Sequence, residues 1–101
     1  MNRVIPIKTY ELDPSADLDF GFDLTADLGE DENIVDIDVS VSDPAILDWH
    51  DPATDGKIMI VFVRAQPGVT EGKELVTMHY TTDGVPPRSD DKSFWIFLRQ
   101  G

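Results

Sequence analysis

The sequence predicts an all-β domain, an Ig-like β-sandwich of about six to seven antiparallel strands. Apolar residues recur at every second position, and turn-forming residues separate the apolar runs. No stretch shows the spacing of an amphipathic helix. A small β-barrel is the alternative that the same pattern allows.

Two stretches carry the clearest alternation. Leu18 to Leu24 alternates leucine and phenylalanine with aspartate and glycine, and Val35 to Val41 alternates valine and isoleucine with aspartate and serine. Each pattern is typical of a strand with one apolar and one polar face. Leu28 to Asn33, between them, predicts a polar turn. Asp43-Pro44 ends the second strand, because proline cannot donate to a sheet ladder.

Three further strands follow in the second half of the chain. Lys57 to Arg64 is almost continuously apolar and β-branched, which is typical of a central strand buried on both faces. Glu74 to Thr82 places valine, methionine and tyrosine on one face. Ser93 to Arg99 closes the chain with apolar side chains on both faces.

Weaker signals complete the domain. Ala45 to Trp49 predicts a short strand, and Asp51-Pro52 and Asp55-Gly56 are expected to bracket a loop. Residues 1–10 are interpreted as an N-terminal arm or first strand, and residues 11–101 as the Ig-like sandwich. Alternation parity predicts a core made of Phe20, Phe22, Val35, Ile37, Val39, Ile60, Phe62, Val76, Met78, Tyr80, Phe94 and Ile96.

Composition excludes several classes of protein. The chain has 101 residues, which is one domain, and it contains no cysteine for disulfides, thiol catalysis or cysteine-based zinc sites. Lys plus Arg is 8 and Asp plus Glu is 20, so the net charge is 8 − 20 = −12. Such a surface repels nucleic acid and anionic membranes. We see no export signal and no apolar run of membrane-spanning length.

No catalytic or metal motif is visible. His50 is predicted in a loop and His79 on the less apolar face of a strand, and neither belongs to an HExxH motif. No nucleophile-elbow motif is present, so we expect a non-enzymatic protein without a cofactor or metal. The carboxylate clusters are interpreted as solvated side chains in loops. Calcium binding and DNA mimicry are the alternatives. They cluster at Asp27, Glu30, Asp31 and Glu32; at Asp48, Asp51 and Asp55; and at Asp90 and Asp91.

The last strand carries the strongest binding signal. Phe94, Ile96 and Leu98 form one face, and Trp95 and Phe97 form the other. On a sheet edge such a strand would be an aggregation hazard, so something apolar is expected to cover it. The candidates are a partner protein, or Trp49 and the N-terminal Val4, Ile5, Ile7 and Tyr10. We predict a protein interface at Trp95, Phe97, Trp49 and Tyr10.

Glu11 to Ile34 reads ELDPSADLDFGFDLTADLGEDENI. It resembles the opening of a family of small phage virion proteins, the fiber–tail adaptor or tail structural proteins. The matching pattern is Asp-Pro, Leu-Asp-Phe-x-Phe-Asp, a threonine, a leucine and Glu-x-Ile. Gly68 to Glu74, Thr81-Thr82 and Asp90 to Phe94 resemble the family's second half. The sequence departs from the family at two places. Leu24 stands where the family often has Trp, and the turn around Val85 to Pro87 is longer than the family's usual Gly-Arg connection.

The resemblance implies a part of the phage tail or neck that joins the tail to fibers or spikes. Its partners would be tail or neck proteins and tail fiber or spike proteins, in several copies per particle. It implies no active site, no nucleic acid and no membrane. The protein would assemble in the host cytoplasm and reside in the virion. The alternative from another class is a stand-alone sandwich module that binds carbohydrate or calcium, and an acidic DNA-mimic inhibitor is the third.

Overall fold

A computed structural model describes residues 8–100, which form seven β-strands and no helix. The all-β sandwich prediction is therefore confirmed, and the narrower Ig-like assignment stays a prediction. The strands are β1 (Thr9–Leu12), β2 (Asp17–Asp23), β3 (Ile34–Val41), β4 (Leu47–Asp55), β5 (Ile58–Ala65), β6 (Gly72–Thr82) and β7 (Ser89–Leu98). Residues 1–7, on which part of the N-terminal strand prediction falls, lie outside the described residues.

The strands form two sheets that pack face to face. One sheet has four strands in the order β1-β7-β6-β3, and the other has three in the order β2-β5-β4. Every pairing is antiparallel except that of β1 with β7. The prediction of antiparallel strands throughout is wrong at this one place. Parallel neighbours need a long connection, and here the whole domain separates the first strand from the last.

The segment after Trp49 is a strand and not the expected loop. β4 continues through Pro52 to Asp55, with a register shift between His50 and Ala53 and a positive φ of 51° at Asp51. This bulge accommodates a proline because β4 is an edge strand, where one side needs no ladder partner. The Asp-Gly signal correctly marks the turn into β5, where Gly56 adopts a φ of 61°.

The core fills the space between the two sheets. Six predicted core residues are buried there: Val39, Val76, Met78, Tyr80, Phe94 and Ile96. Three more pack against the core while partly buried: Phe20, Phe22 and Ile37. Phe94 is the centre of an aromatic cluster, with ring centroids 5.3 Å from Phe20, 5.8 Å from Phe22 and 5.9 Å from Tyr10.

Three core predictions are wrong. Val35 is 58% exposed because a bulge between Ile34 and Asp36 turns Ile34 inward in its place. In β5 both alternating sets of residues are apolar, so alternation does not show which set faces the core. The buried residues are Met59, Val61 and Val63. Ile60 and Phe62 therefore point away from the core and are half-buried on the outer face. The expectation that β5 is a central strand is confirmed, although only one of its faces meets the core.

Candidate protein interface

The last strand presents two different apolar faces. Phe94, Ile96 and Leu98 are buried against the opposite sheet. Trp95 and Phe97 point the other way, and Trp95 is half-buried while Phe97 is 39% exposed. Trp95 to Leu98 lie between β1 and β6, so in this part of β7 the backbone is paired on both sides, whereas Ser89 to Ser93 pair only with β6 among the described residues.

Apolar and charged side chains of the neighbouring strands surround these two aromatic side chains. Leu75 of β6 pairs with Trp95, and Lys73 pairs with Phe97. The ammonium nitrogen of Lys73 lies 5.1 Å from the centroid of the Trp95 ring, within range of a cation–π interaction. On the β1 side, Glu11 accepts a 3.2 Å hydrogen bond from Arg99. We call the outward surface formed by Trp95, Phe97 and Leu75 the Trp95 face.

Tyr10 and Trp49 do not belong to the Trp95 face. Tyr10 pairs with Ile96, so its side chain points toward the core side, where its ring lies 5.4 Å from Phe20. Trp49 pairs with Val63 and is partly buried against the core of the other sheet. Neither residue therefore covers Trp95. The other cover considered from the sequence, Val4, Ile5 and Ile7, lies outside the described residues.

Both histidines bind carboxylates. His50 lies in β4 and not in the predicted loop, because the strand continues past it. Its Nδ1 lies 2.7 Å from Asp51, and its Nε2 lies 2.7 and 2.9 Å from the two Asp17 oxygens. Hydrogen bonds to Asp51 and then to Asp17 raise the pKa of His50 above its ordinary value. His79 is exposed on β6, and its Nδ1 lies 2.5 Å from Asp91.

These contacts do not form a hydrolase triad. In the part of the chain that the structure describes, no serine or threonine hydroxyl bonds either imidazole. No group of three or more histidine and carboxylate side chains among residues 8–100 is arranged to hold a metal ion. Asp48, Asp51 and Asp55 lie on a strand, so the loop geometry considered for calcium does not exist there.

Glu32 is buried, although its acidic segment was expected to be solvated. Its carboxylate accepts hydrogen bonds from the Thr82 hydroxyl at 2.5 Å, from the Gly29 amide at 3.0 Å and from Arg88 Nε at 3.0 Å. A second hydrogen bond comes from Arg88 Nη2. The Arg88 bond, followed by those of Thr82 and Gly29, lowers the pKa of Glu32 to about 2. The side chain of Glu32 is only 9% exposed, while that of Arg88 is 53% exposed.

This ion pair connects two loops that are remote in sequence. Glu32 belongs to the β2–β3 loop and Arg88 to the β6–β7 loop, and Arg88 Nη2 also donates to the Asp27 carbonyl oxygen at 3.2 Å. No local pattern could have predicted it, because the partners are separated by 56 positions. The arrangement is structural, since every oxygen of the carboxylate is occupied by a donor of the protein itself.

A scan against protein-family models finds no match for the chain, and a search of curated proteins finds no significant relative. Within residues 8–100 no helix is long and apolar enough to cross a membrane.

Proposed function

We propose that the protein is a non-enzymatic structural part of a phage particle, an adaptor in the tail or neck. It would join the tail to fibers or spikes through protein–protein contacts. The observation that best supports binding is the Trp95 face. Both sheets of the described chain pack through their other faces, so no strand lies over Trp95 and Phe97. Apolar surface left open in this way is typical of an interface.

The composition of the Trp95 face supports a protein partner. Tryptophan and phenylalanine are enriched in the centres of interfaces, and charged residues form the rim. Here Lys73, Glu11 and Arg99 carry both signs around the apolar centre. A rim of this kind favours a protein surface over a highly charged polymer, because it offers no field of one sign.

The assignment to a phage particle rests on the resemblance of Glu11 to Ile34 to tail adaptor proteins. A net charge of −12 supports protein partners over nucleic acid or anionic membranes. The absence of cysteine fits assembly in a reducing host cytoplasm before incorporation into the virion. Several copies per particle would bind tail or neck proteins on one side and fiber or spike proteins on the other.

Replacing Trp95 with serine tests this function. The full chain is mixed with the tail and neck proteins of the same particle, and complex formation is measured by sedimentation and calorimetry. If Trp95 anchors the interface, Trp95→Ser should weaken binding by about 2 kcal/mol, or roughly 30-fold in Kd. The domain should stay folded, because Trp95 lies outside the core.

The matched control is Val35→Ser, which also removes a large apolar side chain from an exposed strand position. It should leave binding unchanged. Equal affinity of the Trp95→Ser and unchanged proteins would show that the Trp95 face is not the interface. Binding of a glycan that is lost with Trp95 would instead favour the carbohydrate-binding module.

A further inference from the structure

The outer face of the three-stranded sheet also carries uncovered apolar side chains. β5 is its middle strand, and Ile58, Ile60 and Phe62 point away from the core. Ile58 is 39% exposed, and the other two are half-buried between their neighbours. No strand of the described chain lies over this surface, which we call the Ile60 face. It lies on the opposite side of the sandwich from the Trp95 face.

Aspartates line the Ile60 face along both flanking strands. On β2, Asp19 pairs with Phe62 and Asp23 pairs with Ile58. On β4, Asp55 also pairs with Ile58. Residues that pair across neighbouring strands share a face, so these carboxylates stand beside the apolar row. The apolar residues therefore run between two acidic borders.

The borders leave Ile60 accessible. Its partners across the ladder are Gly21 on β2 and Ala53 on β4, the two smallest residues of the row. A Cβ on Gly21 would lie 2.4 Å from the Met59 carbonyl oxygen, so the backbones approach too closely for any side chain there. The Ile60 side chain therefore has only small neighbours on the two flanking strands, which leave its sides uncovered.

The protein's own cations neutralise only one end of this surface. Arg64 lies 2.8 Å from Asp48 and 3.6 Å from Asp17, and His50 also bonds Asp17. Among the described residues no cationic group lies within salt-bridge distance of Asp19 or Asp55. Away from Arg64 and His50, the Ile60 face therefore combines apolar side chains with aspartates that have no ion-pair partner among the described residues.

We propose that the Ile60 face binds a protein segment that carries an apolar side chain between lysine or arginine side chains. The apolar side chain packs beside Ile60, over Gly21 and Ala53, and the cations pair with Asp19 and Asp55. An apolar partner without cations would leave those carboxylates partly desolvated and unpaired, which costs free energy. Nucleic acid and anionic membranes are repelled by the aspartate borders.

The test uses two short capped peptides of equal charge, titrated into the full-length isotope-labelled protein and followed by NMR. In one peptide leucine alternates with lysine, and in the other serine replaces every leucine. We expect the leucine–lysine peptide to shift the amide signals of β2, β4 and β5 and to bind at least about tenfold more tightly than the serine–lysine peptide. Raising the ionic strength should weaken its binding.

Variants locate the site. Ile60→Ser should weaken binding of the leucine–lysine peptide by about tenfold while the thermal midpoint confirms folding. The double variant Asp19→Asn, Asp55→Asn should weaken it comparably and reduce its salt dependence. The matched control is Asp36→Asn with Asp38→Asn, which removes the same charge from exposed positions on β3 of the other sheet.

Unchanged binding in the control together with loss in the first double variant supports the proposal. Equal losses in the two double variants would show unspecific attraction to an acidic protein and would overturn it. Shifts confined to the four-stranded sheet, or equal affinity for the two peptides, would overturn it as well. If Ile60→Ser unfolds, the two aspartate pairs still decide the question, because their side chains are exposed.

Discussion

Truncating Phe94 should remove a large part of the stability of this domain. The side chain is 1% exposed and is surrounded by the rings of Phe20, Phe22 and Tyr10. A buried Phe→Ala change costs about 3–5 kcal/mol, and each aromatic pair contributes about 0.5–1.5 kcal/mol beyond area burial. We therefore expect Phe94→Ala to lower the free energy of unfolding by about 4–5 kcal/mol, near the upper end of this range. The total free energy of unfolding of a domain of this size is about 5–15 kcal/mol.

The matched control lies on the same strand. Phe97 points outward and is 39% exposed, so Phe97→Ala leaves no cavity and should cost only about 1–2 kcal/mol. Phe94→Leu should fall between the two, because it keeps most of the volume and loses the ring contacts.

Urea unfolding at constant m-value measures these differences. With m at about 2 kcal/mol/M, Phe94→Ala should lower the midpoint by about 2 M and Phe97→Ala by less than about 1 M. If Phe97→Ala proves as costly as Phe94→Ala, the prediction that Phe97 lies on an open outward face of β7 is wrong.

Three further outcomes follow from the described contacts. Glu32→Gln should lower the stability at neutral pH, because Arg88 loses its charged partner. The pKa of Glu32 is about 2 in the folded protein and ordinarily 4.5, so the extra stability of the wild-type protein should disappear as the pH falls from 4.5 to about 2, measured by acid denaturation. His50→Gln should remove a stabilisation that is present below pH 6.5 and is lost as the pH rises through the raised pKa of His50 in the folded protein. The thermal midpoint of the variant should therefore change less with pH than that of the wild-type protein. Gly21→Ala should cost about 1–3 kcal/mol, because its Cβ would lie 2.4 Å from a backbone oxygen, whereas Gly29→Ala, with its nearest atom at 3.7 Å, should be tolerated; equal midpoints for the two would contradict the close strand approach.

Alternation could predict strands and most inward residues, because it depends only on local geometry. It failed where backbone irregularities change the parity. A bulge turns Val35 outward, and another carries β4 through Pro52, where the proline suggested a loop. In β5 both parities are apolar, so the sequence left no means of choosing Val61 over Ile60 for the core.

Contacts between distant segments were beyond the reach of local patterns. The partners Glu32 and Arg88 are brought together only by the packing of two loops. The sequence offers Tyr10 as cover for Trp95 because it belongs to the N-terminal segment with apolar residues. The parallel register of β1 places it beside Ile96 instead, on the inward side. Residue type could indicate an interface, but only the register assigns residues to a common surface.

The two strands with apolar side chains on both faces are each an inner strand of a sheet. β5 lies between β2 and β4, and the Trp95 to Leu98 part of β7 lies between β1 and β6, so neither segment offers an unpaired backbone for strand addition. Their outward residues can therefore act only through side-chain contacts. The rims of the two surfaces differ, with both charge signs around Trp95 and aspartates around Ile60. A partner whose charges match one rim is poorly matched to the other, so a domain that used both surfaces would hold two unlike proteins on opposite sides of one rigid sandwich.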